Sequence, residues 1–150
     1  MPPSTESPCI GICSTVYGDN FCRGCKRHYL EVIHWNRYDT SQKQAINQRL
    51  EQQIETIMRE FVVITDEQKL KVCLDQVTLR PPLYPNPFYW AYELLRLKAK
   101  QMTALGAYGF YAIPPYHTLS ANTLFTQMDD KLYARIQQTL IVGWADKPNG

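Results

Sequence analysis

Four cysteines near the start of the chain carry its strongest chemical signal. They are Cys9-Ile-Gly-Ile-Cys13 and Cys22-Arg-Gly-Cys25, a C-x3-C-x8-C-x2-C pattern. A thiophilic divalent ion needs converging thiolates, and two short hooks joined by a modest loop supply them in tetrahedral array. Cys9, Cys13, Cys22 and Cys25 are therefore the predicted metal ligands. With every ligand drawn from protein, zinc is expected in a closed structural site that keeps no open position for catalysis. An iron–sulfur cluster also takes four thiolates and is the alternative, although its familiar spacings differ from this one. A tight turn that aims backbone amides at sulfur needs a residue free to take positive φ. Gly24 is expected to do this in the second hook and Gly11 in the first. Four thiolates on a divalent ion leave a charge of about −2. Arg23, Lys26 and Arg27 are placed to offset that charge and to favour the ligating thiolate form.

The remaining candidates are weaker. His28 follows Cys25 closely enough to ligate, but four thiolates already complete the shell, so a packing role is expected. His34 is expected beside Trp35, and His117 has no partner in the pattern. Cys73 falls on the apolar face of a helix and reads as a small buried hydrophobe. No phosphate-binding loop, dinucleotide-binding glycine run, nucleophile elbow or metalloprotease helix occurs, and no catalytic residue is predicted. Glu60, Asp66 and Glu67 read as a charged helix junction. Arg23, Lys26, Arg27 and Arg37 surround Tyr29, Trp35 and Tyr38, which suggests phosphate contacts and base stacking. Residues 1–60 carry seven basic and seven acidic side chains. That balance makes RNA binding the second alternative, behind a compact core compensating its own thiolates.

Composition narrows the setting. The chain has 150 residues, a net charge of +2 and 45% hydrophobic positions. That suits one domain, or one with a small appended module, and argues against wholesale nucleic-acid binding or disorder. The longest stretch without Asp, Glu, Lys or Arg, residues 101–128, is interrupted by Pro114-Pro115, His117 and several amide and hydroxyl side chains, so no membrane span is expected. Met1-Pro-Pro-Ser-Thr-Glu has neither the basic nor the apolar region of a secretory signal, and a cytoplasmic address is expected. In a reducing compartment five cysteines, an odd number, read as ligands or buried thiols rather than disulfides.

The elements that must position these residues read as mainly α: a small four-cysteine knuckle followed by about four helices. Residues 1–7 read as a mobile tail, and 8–61 as the metal-binding module with a long helix. Residues 62–150 read as a helical C-terminal domain, a candidate docking domain. Ala45/Ile46, Leu50, Ile54, Ile57/Met58 and Phe61 form one stripe, predicting a helix from about 41 to 61 capped by Asp39, Thr40 or Ser41. Asp66 opens a second helix through Leu70, Cys73, Leu74 and Val77, which Pro81 and Pro82 bar from continuing. Val62–Ile64 is too short to assign and could form a strand. Asn86-Pro87 starts a third helix, expected to run to about 105 and stop at Gly106. That helix is apolar over most of its circumference, so it is either central or partner-facing. Ser120 caps a last helix ending near Gly143. Tyr84, Tyr108, Tyr111 and Tyr116 lie in connectors, where such rings commonly serve as contact residues.

At the cysteines the sequence resembles a bacterial family of unknown function labelled as predicted iron–sulfur proteins (YdhL-like). The resemblance lies in Ser7-Pro8-Cys9-Ile10-Gly11-Ile12-Cys13 and Cys22-Arg23-Gly24-Cys25-Lys26-Arg27, then Glu31 and Trp35 before a polar helix. It covers roughly residues 7–60 and implies that the four cysteines act together, with no activity attached. Residues 62–150 look like an extension. The leading expectation is a non-enzymatic adaptor, its zinc knuckle joined to a helical region that docks another protein.

Overall fold

The computed structural model describes residues 4–11 and 13–139, and over these the fold is mainly α. Five α-helices and one two-stranded sheet occur among the described residues. The chain divides into two compact units, one built from residues up to Leu50 and from Tyr133 onward, the other from Glu51–Leu132. The division falls inside the long helix rather than after it.

In the first unit the cysteine hooks lead into α1 (Tyr29–His34), which the hydrophobic pattern does not announce. His28 starts it: its Nδ1 accepts from the Leu30 amide, while the Glu31 carboxylate accepts from the His28 amide. This reciprocal arrangement satisfies two amides that the first turn leaves without partners. The long helix α2 (Thr40–Phe61) matches the predicted stripe. Asp39 is its cap, since Asp39 Oδ1 accepts from the Gln42 amide at 2.8 Å and Gln42 Oε1 accepts from the Asp39 amide at 2.9 Å. Ile46 and Leu50 from α2, with Phe21, Trp35, Tyr38, Tyr133 and Ile136, form this unit's apolar core. Asn47 is buried and donates to the carbonyls of Ser4 and Glu6, tethering a stretch that the sequence reads as a mobile tail.

The second unit takes up the rest of α2, burying Ile54, Ile57, Met58 and Phe61. Val62–Ile64 does form a strand, β1, paired antiparallel with β2 (Phe110–Ala112) in the register Val62↔Ala112, Val63↔Tyr111, Ile64↔Phe110. Helix α3 (Glu67–Val77) is capped by Asp66, whose carboxylate accepts from the Lys69 amide. Gly109 closes the turn before β2 with φ of 92°, and its carbonyl accepts from both the Thr65 and Asp66 amides. A side chain there would meet the Asp66 carbonyl oxygen at 2.4 Å. Helix α4 (Pro87–Lys98) starts at the predicted Asn86 cap but ends seven residues short of 105, giving way to a 3-10 turn over Ala99–Gln101. Ala99 and Met102 are both buried, so packing turns the chain inward before any breaker residue is reached. Tyr89, Ala91, Tyr92, Leu94 and Leu95 are buried, which makes α4 a central helix and not a partner-facing one.

Helix α5 (Ala121–Ile136) follows the Ser120 cap. It ends at Ile136, with Gln137 and Gln138 in a turn, short of the expected end near Gly143, a residue that itself lies outside the described ones. Of the connector tyrosines, Tyr84 is buried against Tyr89, and Tyr116 stacks on Phe61 with ring centroids 4.2 Å apart. Tyr111 belongs to β2 and is 54% exposed. No helix among the described residues is long and apolar enough to cross a membrane.

Candidate metal centre

The second hook is a closed turn. The Cys22 amide donates to the Arg27 carbonyl and the Lys26 amide to the Cys22 carbonyl, each at 2.8 Å. The positive φ that closes it falls on Lys26, at 72°, and not on Gly24 as the sequence predicts. A non-glycine residue accepts that conformation only where its surroundings hold it there. Lys26 is 2% exposed, and its ammonium donates to the carbonyls of Arg23 and Gly24, which supplies the hold. Gly11 has φ of 95°, as expected for the first hook.

Two sulfurs meet in this turn. The Cys25 thiol donates to the Cys22 sulfur, which also receives the backbone amides of Cys25, Ser14 and Gly24. These donors hold the Cys22 thiol down at about 4 against the cost of burial. The same thiol–thiolate bond, followed by burial, pushes the Cys25 thiol well up. Arg27 opposes that rise: its Nε donates to the Cys25 sulfur at 3.2 Å. Ser14 also joins the hooks, because its hydroxyl accepts from the Arg23 amide at 2.8 Å while its own amide points at the Cys22 sulfur.

The first hook is less gathered. Cys9 is exposed and accepts from the Gly11 amide at 3.3 Å; Cys13 is half-buried, with Thr15 Oγ1 2.9 Å from its sulfur. Among the described residues no three metal-ligating side chains stand close enough to share one ion. The structure thus brings Cys22 and Cys25 together and sets Cys13 next to the Ser14 amide that reaches them, with Cys9 on its own loop. The four candidate donors are all soft sulfurs, and the amides around Cys22 favour a thiolate at that one position.

The flanking residues resolve into structural roles. His28 Nδ1 is engaged in capping, and its ring meets Phe21 edge-on at 5.1 Å, in keeping with the packing role expected for it. His34 packs edge-on to Tyr38, with ring centroids 6.4 Å apart. Cys73 is half-buried rather than within the core, at the rim of the α3 face that Leu70 and Leu74 bury. Trp35 and Tyr38 are buried, as are Lys26 and Arg27, so these members of the basic–aromatic set are not spread as a stacking surface. Two participants escaped sequence reasoning. Arg49 makes a bidentate bond to the buried Glu31, and Tyr133 donates its hydroxyl to the Phe21 carbonyl next to the knuckle. Only the partner of Glu31 was hinted at, by an acidic residue lying in an otherwise apolar helix.

Residues 7–54 match a family model described as "Protein of unknown function (DUF1289)". The match takes in both hooks, α1 and most of α2, and the chain therefore carries a domain of that family. Its description assigns no chemistry. No curated protein and no solved structure matches the chain.

Proposed function

We propose that the first unit is a metal-thiolate module in which Cys9, Cys13, Cys22 and Cys25 hold one structural zinc ion, and that the protein is a non-enzymatic adaptor. The observation that carries this reading is the Cys22–Cys25 turn, where backbone amides converge on one sulfur and a buried guanidinium on the other. Such donors stabilise thiolate charge, and thiolate is the form a metal takes. Binding would draw the first hook onto the preformed pair. Zinc would also supply folding energy to a stretch with few apolar side chains; structural sites are worth on the order of 10–16 kcal/mol at pH 7. An iron–sulfur cluster on the same thiols is the competing reading, and retained RNA is the weaker one.

The adaptor half of the reading rests on the second unit. Val63 and Tyr111 sit opposite each other in the β1–β2 register and are 48% and 54% exposed. A paired aliphatic and aromatic residue on an outward face suits contact with another protein. The metal reading is tested by native mass spectrometry of the full chain and its single Cys22→Ser and Cys25→Ser variants. One zinc per wild-type chain, lost in each variant together with the amide-proton dispersion of the first unit, is the expected result. Variants that stay fully folded with no metal bound in any form would overturn it.

A further inference from the structure

In the second unit, residues 103–107, strand β2 and residues 117–121 border a cleft of about 420 Å³. That volume lies within the range of sites that take small molecules. Its walls are fixed by contacts of their own. On one side the Ala107 and Gly109 amides donate to the carbonyls of Ala104 and Gly106. On the other, Tyr116 stacks on Phe61 and its amide donates to the Ile113 carbonyl at 2.8 Å, while the Leu119 amide donates to the Tyr116 carbonyl. Thr103, Tyr111 and His117 line the cleft, and their side chains make no hydrogen bond to another described residue. A hydroxyl, a phenol and a neutral imidazole each both donate and accept.

No Asp, Glu, Lys or Arg lines the cleft. A charged ligand would lose water there without gaining a counter-ion, which favours an uncharged one. Ala104, Gly106, Ala107, Ala112 and Ala121 present one methyl group or none, so a flat ring can approach the backbone closely. Gly106 also makes room for Tyr111: a Cβ at 106 would stand 2.4 Å from the phenol oxygen and 2.6 Å from the ring carbon that carries it. The Tyr111 ring is thus seated on the turn and offers an aromatic surface at the cleft. We propose that this cleft binds an uncharged, planar heteroaromatic molecule carrying both hydrogen-bond donors and acceptors, with Tyr111 and His117 as the groups that orient it. The inference goes beyond the metal and adaptor readings and does not rest on them; it shares only Tyr111 with the proposed docking face.

The test follows the amide resonances of the full chain by two-dimensional NMR during titration with nicotinamide, an uncharged planar probe. Its charged relatives, nicotinate and the N-methylnicotinamidium cation, are titrated in parallel. Nicotinamide should shift the amides of Gly106, Ala107 and Ala112 saturably, with a Kd on the order of 1 mM for so small a molecule. Each charged relative should bind about 10-fold more weakly, or not at all. Tyr111→Phe and His117→Ala alter exposed side chains that make no hydrogen bond to another described residue, so the double variant should fold as wild type does. It should bind nicotinamide about 10-fold more weakly, the loss of two ordinary net hydrogen bonds. Absence of a saturable shift at these amides, equal or tighter binding of a charged relative, or wild-type affinity in the double variant would overturn the proposal. None of these outcomes bears on the metal reading.

Discussion

Glu31 and Arg49 meet through two parallel charge-assisted hydrogen bonds of 2.6 and 2.7 Å, with the carboxylate fully buried. The pair joins the short helix that follows the cysteine turn to the long helix α2. Glu31 also accepts the His28 amide, so a single side chain caps α1 and anchors it.

Removing Arg49 would leave a buried carboxylate without its cation. Arg49→Met is expected to cost about 3–5 kcal/mol, the usual consequence of breaking a buried pair from one side. Arg49→Lys should lose less, since it keeps the charge without the bidentate fork. Urea denaturation followed by circular dichroism measures both. Stability within about 0.5 kcal/mol of wild type for Arg49→Met would show the pair to be an ordinary surface contact.

Gly109 has the left-handed backbone that side chains rarely adopt, and the Asp66 carbonyl occupies the space where a Cβ would go. Gly109→Ala is expected to destabilise the second unit by about 2–3 kcal/mol, because strain at positive φ and a backbone clash add together. The loss should appear in thermal unfolding of the full chain. An unchanged midpoint would mean that the turn joining β2 to the start of α3 relaxes freely.

Tyr133 donates to the Phe21 carbonyl, both groups being buried. Tyr133→Phe keeps the ring under Arg23 and removes only the hydroxyl. The carbonyl is then left unsatisfied, at a cost of about 1–2 kcal/mol. Amide exchange around Phe21 and Cys22 should accelerate correspondingly, and unchanged protection there would count against the contact.

Alkaline stability follows from Tyr89 and Tyr92. Burial, joined by Asp129 beside Tyr92 and Glu93 beside Tyr89, holds both phenols above their ordinary value of about 10. The Tyr92 hydroxyl donates to Asp129 at 2.8 Å, so ionisation would set two anions in contact. A folded-state value raised above the unfolded one means this contribution is fully present below pH of about 10 and is lost as pH rises through the folded value. Absorbance at the phenolate band should show part of the tyrosine signal appearing late and together with unfolding. Tyr92→Phe should remove a share of that late signal. A single reversible titration of every tyrosine near the ordinary value would contradict the prediction.

The sequence made α2, α3 and the starts of α4 and α5 legible because their signals are local: a 3.6-residue stripe, or a capping side chain followed by a helix former. What it concealed depends on contacts made elsewhere. Nothing between Lys98 and Gly106 breaks a helix, yet burial of Ala99 and Met102 ends α4 early. Phe110–Ala112 is too short to announce itself and becomes a strand only through its partner β1. Helix α1 is six residues long and was marked only by a capping pair that begins with histidine. In the candidate site, the cysteine spacing and the Gly11 turn could be read directly. The positive φ at Lys26 could not, because it depends on where a buried ammonium finds carbonyls. Nor could the seating of the Arg23 guanidinium over Tyr133 and of the Arg27 guanidinium over Trp35, which depends on how the chain folds back.

In the proposed module Cys9, Cys13, Cys22 and Cys25 hold one structural zinc ion. Elemental analysis with an ultraviolet–visible spectrum, on protein purified anaerobically without chelators, tests it most directly. One zinc per chain and no visible absorbance is the expected result. Iron with acid-labile sulfide and a brown colour would contradict it and make the module a redox centre, and protein free of any metal would contradict both.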